Sequence, residues 1–264
     1  MSVLNRNNVR VLGHGRQPML FAHGYGCDQT MWRFITPAFD DDYRIVLFDH
    51  VGSGASDLSA YSRSKYSSLA GYADDVLEIC RELELTNVVF VGHSVSAMIG
   101  VLAAIKQPDT FARLILIGPS PSYINQDDYV GGFTRKDIEE LLEFQDSNFL
   151  GWSSQLAPVI MGNGDRPELG NELFNSFCRT DPEIAKQFAA VTFLSDNRPD
   201  LARVTTPSLV VQTREDAIAP PVVGQYVHEH LANSDLVILV ATGHCPHLSA
   251  PQQTIAAIQA FLRK

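Results

Sequence analysis

Three polar residues of catalytic type occur in the chain in the order serine, aspartate, histidine: Ser94, Asp216 and His244. A serine hydroxyl is a weak nucleophile near neutral pH and needs a neighbouring base. A histidine imidazole, with an ordinary pKa of about 6.5, can take the hydroxyl proton and return it. A carboxylate can orient that imidazole and stabilise its protonated form. Together the three residues predict nucleophilic attack on a carbonyl carbon.

Two neighbouring residues offer alternatives for the carboxylate and the base. Glu215 could replace Asp216, but it lies closer to the preceding strand pattern. His247 could replace His244, but it lies beyond Pro246. The sequence therefore favours Asp216 and His244. The remaining histidines are predicted to lie at the surface or in loops: His14, His50, His228 and His230.

The serine lies between a strand pattern and a helix pattern. Residues 88–91 are apolar and mostly β-branched, as in a short buried strand, whereas residues 97–105 are small and aliphatic, as in a helix. Ser94 stands at the apex of the turn between them. Gly92 and Ser96, two positions before and after it, are small enough to let strand and helix approach each other. We expect a strained turn that exposes the Ser94 hydroxyl to a base.

A tyrosine between two glycines follows an early strand. Residues 19–22 predict a strand that leads directly into Gly24-Tyr25-Gly26. The flanking glycines leave the backbone N–H of Tyr25 open to a bound molecule. Together with the N–H of Val95, the residue after the serine, it would form an oxyanion hole.

Strand and helix patterns alternate in the first part of the chain and predict a mostly parallel sheet covered by helices on both faces. Strands are predicted at residues 8–12, 19–22, 43–49, 88–91 and 111–117, with helices at 29–39, 67–83 and 97–105. Strand patterns return only at residues 207–213 and 236–240. The segment between has four helical stretches, at residues 135–148, 151–161, 168–178 and 182–194. We therefore predict a core of residues 1–122 and 199–264 with an inserted helical lid of residues 123–198.

The lid sequence is rich in aromatic side chains, too many for a helical appendage to expose to water. Most of them should form the core of the lid. A minority should face the serine and form an apolar pocket. Such a pocket suits a small, hydrophobic ester or lactone.

The chain is acidic, with a formal net charge of -10 and a pI near 5.2. This charge repels phosphate backbones and anionic lipids, and no Lys/Arg cluster interrupts it, so we expect no nucleic-acid or membrane partner. The N-terminal residues 1–10 lack an apolar signal core. The longest apolar tract, residues 88–105, is interrupted by polar residues and is not a membrane span.

The cysteines indicate a reducing compartment. They are far apart in the sequence and show no C-x-x-C pairing, which predicts reduced thiols in a cytoplasmic protein: Cys27, Cys80, Cys178 and Cys245. Residues 244–247 hold two histidines and a cysteine, but no second ligand group lies nearby in the sequence. Residues 52–54 lack the third glycine of a dinucleotide fingerprint. We expect neither a metal nor a cofactor.

Four segments, residues 23–29, 92–100, 129–133 and 243–249, resemble the RsbQ-type bacterial hydrolases of the α/β-hydrolase superfamily. That family regulates a general-stress sigma factor and is closely related to the plant strigolactone and karrikin receptors. Gly92-His93-Ser94-Val95-Ser96 is similar to the nucleophile elbow of the superfamily, usually written G-x-S-x-G.

The resemblance implies an α/β-hydrolase fold with a four-helix lid over the pocket. It places these residues in the pocket: Tyr25, Val95, Phe133, Trp152, Phe193 and Ile218. Tyr25 stands where the family more usually has phenylalanine. The resemblance also implies a second possibility, a signalling protein that hydrolyses its ligand slowly and binds a regulatory protein such as a phosphatase.

Overall fold

The computed structural model describes residues 2–264. Its centre is a seven-stranded sheet in the order β1-β3-β2-β4-β5-β6-β7. The strands are β1 (Arg10–Leu12), β2 (Gln17–Ala22), β3 (Tyr43–Leu47), β4 (Val88–His93), β5 (Phe111–Ile117), β6 (Ser208–Glu215) and β7 (Ser234–Thr242). Every neighbouring pair is parallel except β1 with β3. The predicted fold class, a mostly parallel sheet flanked by helices, is confirmed.

Helices follow most of the strands. They are α1 (Val3–Arg6), α2 (Leu69–Glu82), α3 (Val95–Lys106), α4 (Arg135–Ser147), α5 (Phe149–Met161), α6 (Pro167–Cys178), α7 (Pro182–Phe193), α8 (Arg198–Leu201), α9 (Pro221–His230), α10 (Pro246–Ser249) and α11 (Pro251–Leu262). No helix within residues 2–264 combines the length and the apolar character that crossing a bilayer requires.

The central strands bury both of their faces. On β4, Phe90 packs with α2 and α3 on one side of the sheet. Val89 and Val91 pack with α11 on the other side. Side chains alternate between the two faces of a strand, so a strand covered on both sides reads as a continuous apolar run. This explains why residues 88–91 are apolar without interruption.

Helices α4 to α7 form a segment inserted between β5 and β6, which pair with each other in the sheet. We call residues 123–198 the helical segment. Its two ends are held together, because Asn197 N–H donates to Pro121 O at 2.7 Å and Ser122 forms a β-bridge with Asp196. Its helices agree with the four predicted stretches to within two residues at either end. Its division from the core as a separate lid stays a prediction.

The predicted helix over residues 29–39 is wrong in form. Two short 3-10 helices, Gln29–Trp32 and Thr36–Ala38, occupy this region. The Asp28 side chain caps the first by accepting from Thr30 N–H at 2.9 Å. Pro37 lacks an N–H, so it cannot continue the hydrogen-bond pattern of an α-helix through the second.

Candidate active site

The serine stands where strand β4 meets helix α3. Ser94 has φ +56° and ψ −123°, and its N–H donates to Ile117 O at 2.8 Å. A β-carbon on Gly92 would lie 2.5 Å from Ser96 O, and one on Gly100 would lie 2.2 Å from the Phe90 ring. Both glycines are therefore required for the close approach of strand and helix. The sharp turn predicted from the sequence is present.

The imidazole of His244 lies between the serine and the aspartate. His244 Nε2 lies 2.7 Å from Ser94 Oγ, and His244 Nδ1 lies 2.7 Å from Asp216 Oδ2. Because Nδ1–H donates to a carboxylate, Nε2 is left to accept the serine proton. The other carboxylate oxygen of Asp216 accepts from the N–H groups of Ile218 at 2.8 Å and Ala219 at 3.0 Å. The structure thus joins Ser94, His244 and Asp216 in one hydrogen-bonded chain.

Main-chain contacts hold His244 from two sides. Its N–H donates to Ile160 O on α5 at 2.8 Å, and its carbonyl accepts from His93 Nε2–H at 2.8 Å. A β-carbon on Gly243 would lie 1.9 Å from Met161 O, so the loop packs directly on the end of α5. The helical segment therefore helps to position His244.

The two alternative residues lie outside this chain. Glu215 ends β6, is exposed, and accepts from the Thr242 hydroxyl at 3.0 Å. His247 is buried, and its ring centroid lies 4.8 Å from that of Trp32. Burial, together with the nearby His244 and Arg33, lowers the pKa of His247 to about 3.

Two backbone N–H groups next to the serine turn have no backbone hydrogen-bond partner in the described structure. Within residues 2–264, neither the N–H of Tyr25 nor that of Val95 donates a hydrogen bond to another backbone group. A β-carbon on Gly24 would lie 2.6 Å from His93 Nδ1 and 3.3 Å from Ser94 Cβ. The loop of residues 23–26, which we call the oxyanion loop, is therefore packed directly against the serine turn.

A buried polar network supports the oxyanion loop. Ser96 Oγ donates to His23 O at 2.5 Å and lies 2.7 Å from His50 Nε2, which donates to it. His50 N–H in turn donates to His23 Nε2 at 3.1 Å. The sequence predicts His50 at the surface or in a loop; it lies in a loop, but its side chain is fully buried. Burial and the neighbouring His23 lower the pKa of His50 well below its ordinary value.

The side chain of Tyr25 reaches into the helical segment. Its hydroxyl donates to Ala185 O on α7 at 3.2 Å and accepts from Gln145 Nε2 on α4. Its ring also lies 5.6 Å from the Phe188 ring, centroid to centroid. Burial raises the pKa of the Tyr25 phenol, while the hydrogen bond with Gln145 lowers it by less.

A small cavity of about 30 Å³ lies beside Ser94 and His244. Of the six residues predicted to line the pocket, Tyr25, Phe193 and Ile218 do so. The other three pack nearby: Val95 joins the core around α3, Phe133 joins the cluster of Tyr123 and Ile138, and Trp152 lies behind Tyr25 and Phe177. The Trp152 indole packs against the rings of Tyr25 and Phe177.

Sequence reasoning missed several lining residues: Cys27, His93, Tyr123, Ile160, Leu173, Phe177, Thr192 and Cys245. For three of these residues, the position in the sequence indicated that they lie near the site. Cys27 and Cys245 lie next to predicted site segments, and Tyr123 follows the strand beside β4, at the same edge of the sheet. The residues on α5, α6 and α7 carried no such signal, because their orientation depends on how the helices pack.

One side-chain cluster beneath the site has ligand atoms suited to a metal. The ligand atoms of His93, Cys245 and His247 lie within 4.8 Å of one another, all buried. Sequence reasoning did not bring His93 to this group. Burial raises the pKa of the Cys245 thiol. We propose no metal at this cluster.

Three comparisons relate this chain to known proteins. A family model, the alpha/beta hydrolase family, matches residues 19–258. The chain is 39% identical over 254 residues to the karrikin insensitive 2 receptor CA of Petunia hybrida, covering 96% of this chain and 94% of that protein. It is 38% identical over 264 residues to a strigolactone esterase of Arabidopsis thaliana, covering 100% and 97% respectively. The solved structure of a hydrolase from Oleispira antarctica matches with a TM-score of 0.97 and 45% identity, covering 99% of this chain and 96% of that one.

Proposed function

The chain belongs to the alpha/beta hydrolase family, and we propose that it hydrolyses small hydrophobic esters or lactones with Ser94 as its nucleophile. The observation that carries this proposal is the continuous chain of hydrogen bonds from Ser94 through His244 to Asp216, with 2.7 Å at each step. Relatives whose names describe them as esterases support the choice of reaction.

The reaction follows from the positions of these atoms. Ser94 Oγ attacks the ester carbonyl carbon as its proton moves to His244 Nε2, and the N–H groups of Tyr25 and Val95 bind the oxyanion that forms. Asp216 stabilises the resulting imidazolium. His244 then gives the proton to the leaving alcohol oxygen. A water molecule, deprotonated by His244, releases the acyl group and restores the Ser94 hydroxyl.

The lining of the cavity supports the proposed substrate class. Ile160, Phe193 and Ile218 give it apolar walls. We propose that the helical segment acts as a lid, because its residues form much of this lining.

The free thiols of the chain also support a cytoplasmic location.

Replacement of the nucleophile tests the proposal. We expect Ser94→Ala to lower kcat for short p-nitrophenyl esters and a fluorogenic butenolide by about 10³-fold or more, without loss of folding. Ser208→Ala is the matched control, because it also removes a buried serine hydroxyl, one that binds Thr206 O at the start of β6. It should retain nearly all of the activity. Turnover by Ser94→Ala at the rate of the unmodified protein would overturn the proposal.

A second candidate function is a ligand-gated regulator that hydrolyses its ligand once or slowly. Relatives named as receptors, at 39% identity and over nearly their whole length, support it. A small regulatory protein such as a phosphatase would then bind after the ligand. Pre-steady-state kinetics distinguish the two: sustained turnover supports the enzyme, whereas a single stoichiometric burst supports the regulator.

A further inference from the structure

One hydroxyl among the residues that line the cavity is buried and has no partner in the described structure. Thr192, on α7, lines the cavity and is 1% exposed. Within the described residues its Oγ1 makes no hydrogen bond, not even to the carbonyl one turn earlier that threonine often uses in helices. Leaving a buried hydroxyl unpaired destabilises a fold, so such a group in a native structure requires an explanation.

Two other polar groups of the lining are engaged or closed off. The Tyr25 hydroxyl is bound to α4 and α7. His93 Nδ1 also lacks a partner, but it packs against Gly24, where a β-carbon would lie 2.6 Å away. Thr192 Oγ1 is therefore a buried hydroxyl of the lining that no group in the described structure engages.

Thr192 lies beside the aromatic pair that leads to the nucleophile. Its neighbour Phe193 packs edge-on against Tyr123, with ring centroids 5.0 Å apart, and Tyr123 lines the cavity together with Ser94. A substrate whose carbonyl lies at Ser94 would extend along this pair towards α7. Rotation about χ1 exchanges the hydroxyl and methyl groups of a threonine, so Oγ1 can turn to meet it.

We infer that the Thr192 hydroxyl donates a hydrogen bond to a second oxygen of the substrate. The favoured substrates are then esters or lactones that carry an ether, carbonyl or hydroxyl oxygen apart from the bond that is cleaved. This inference rests on the proposed hydrolysis at Ser94. It adds to that proposal one residue that selects among esters and the chemical feature it selects.

Matched esters and a hydroxyl-to-methyl substitution test the inference. The p-nitrophenyl esters of pentanoate, 3-methoxypropanoate and 2-ethoxyacetate have acyl chains of equal length, and an oxygen replaces one CH₂ group in the last two. We expect Thr192→Val to lower kcat/KM for at least one oxygenated ester by about 5- to 50-fold and to leave pentanoate unchanged or better. Thr192→Ser, which keeps the hydroxyl, should restore the preference. An equal change for all three esters would overturn the inference.

A binding measurement separates this inference from the proposed reaction. On the Ser94→Ala background, calorimetry with ethyl 3-methoxypropanoate, ethyl 2-ethoxyacetate and ethyl pentanoate measures recognition without cleavage. Adding Thr192→Val should weaken binding of an oxygenated ester and not that of pentanoate; equal weakening, or no effect on any ester, would refute the role of Thr192. Ser94-independent turnover would instead contradict the proposed reaction and leave the calorimetric result standing.

Discussion

At the scale of single residues, Ser96 links the serine turn to the oxyanion loop. Its hydroxyl donates to His23 O and accepts from His50, and Tyr25 lies two residues after His23. A misplacement of about 1 Å in a site can lower the rate by about 100-fold. We infer that Ser96 is a positioning residue, which acts through the loop rather than on the substrate.

Replacing Ser96 by alanine tests this role. The change removes a hydrogen bond from His23 O and one from His50 Nε2, and it leaves the two atoms only their 3.2 Å contact with each other. We expect kcat for p-nitrophenyl esters to fall by about 10- to 100-fold while KM changes less than threefold, since the oxyanion forms only during reaction. Ser153→Ala, which removes a hydroxyl that binds within α5, is the control. A loss of thermal stability with unchanged kcat would show that Ser96 is merely structural.

Sequence reasoning at this scale succeeded where residues share a strand end. Ser94, Asp216 and His244 each follow a parallel strand, and the ends of parallel strands meet at one edge, so their proximity could be predicted. The pairing of Ser96 with His50 could not. It depends on the distance between two loops, and neither hydrophobic periodicity nor spacing encodes the burial of a polar side chain.

At the scale of elements, one tyrosine connects the oxyanion loop to two helices of the helical segment. The backbone N–H of Tyr25 is a proposed oxyanion donor, and its hydroxyl binds Gln145 on α4 and Ala185 on α7. Gln145 is 2% exposed, and its Oε1 has no partner in the described structure. A movement of α4 and α7 would therefore pull on Tyr25, the proposed oxyanion donor.

Removal of the Tyr25 hydroxyl should weaken the contact of the oxyanion loop with helices α4 and α7. Tyr25→Phe leaves the Gln145 amide and the Ala185 carbonyl without it, at a cost of about 1–3 kcal/mol in the free energy of unfolding. For a chain of this size each kcal/mol lowers Tm by about 2–4 °C. Amide hydrogen exchange should become faster in α4 and α7 than in α5. Tyr129→Phe, which loses a bond to Ser122 O, is the control and should leave exchange in those helices unchanged.

The elements that could be predicted are those with a clear period. Helix α2 buries Tyr72, Val76 and Ile79 on one face, and its pattern marked both ends to within two residues. The region of residues 29–39 has apolar residues at similar intervals, but Pro37 and the short span allow only 3-10 turns. Strand β1 pairs with β3 rather than with β2, and this pairing depends on tertiary structure, which the local sequence pattern does not specify.

At the scale of the whole molecule, three buried histidines make the fold sensitive to acid. Burial lowers the pKa of His50 and of His93 well below the ordinary value of 6.5, and that of His247 to about 3. In the unfolded chain all three titrate near 6.5. Between about pH 3 and 6.5 the unfolded state therefore binds more protons than the folded state, and the free energy of unfolding falls as the pH falls through this range.

Denaturant unfolding at several pH values measures this effect. Each of these histidines should contribute about 1.4 kcal/mol per pH unit in the part of the range where it is neutral folded and protonated unfolded. His247→Gln should reduce the slope between pH 5 and 6 by about one such contribution. His230→Gln, a change of an exposed histidine, should leave the slope unaltered. Equal slopes for His247→Gln and the unmodified chain would contradict the prediction.

The fold as a whole was the most predictable feature, because alternation of strands and helices leaves few arrangements open. The resemblance to the α/β-hydrolases and to the plant receptor hydrolases is confirmed by the family match and by relatives along nearly the full chain. The lining of the cavity was the least predictable. Thr192 reaches it only through the packing angle of α7, which no residue pattern specifies.

The two ends of the helical segment are held together beside the sheet, and this has a consequence for how such proteins can be altered. The segment leaves and re-enters the sheet between two strands that pair with each other, and the Pro121–Asn197 hydrogen bond closes the gap. For a segment whose ends lie side by side, the entropy cost of closing the loop rises only slowly with its length. A different set of helices grafted at this junction would therefore close at a similar cost, but it would have to replace the contacts that α5 makes with His244 and that α4 and α7 make with Tyr25.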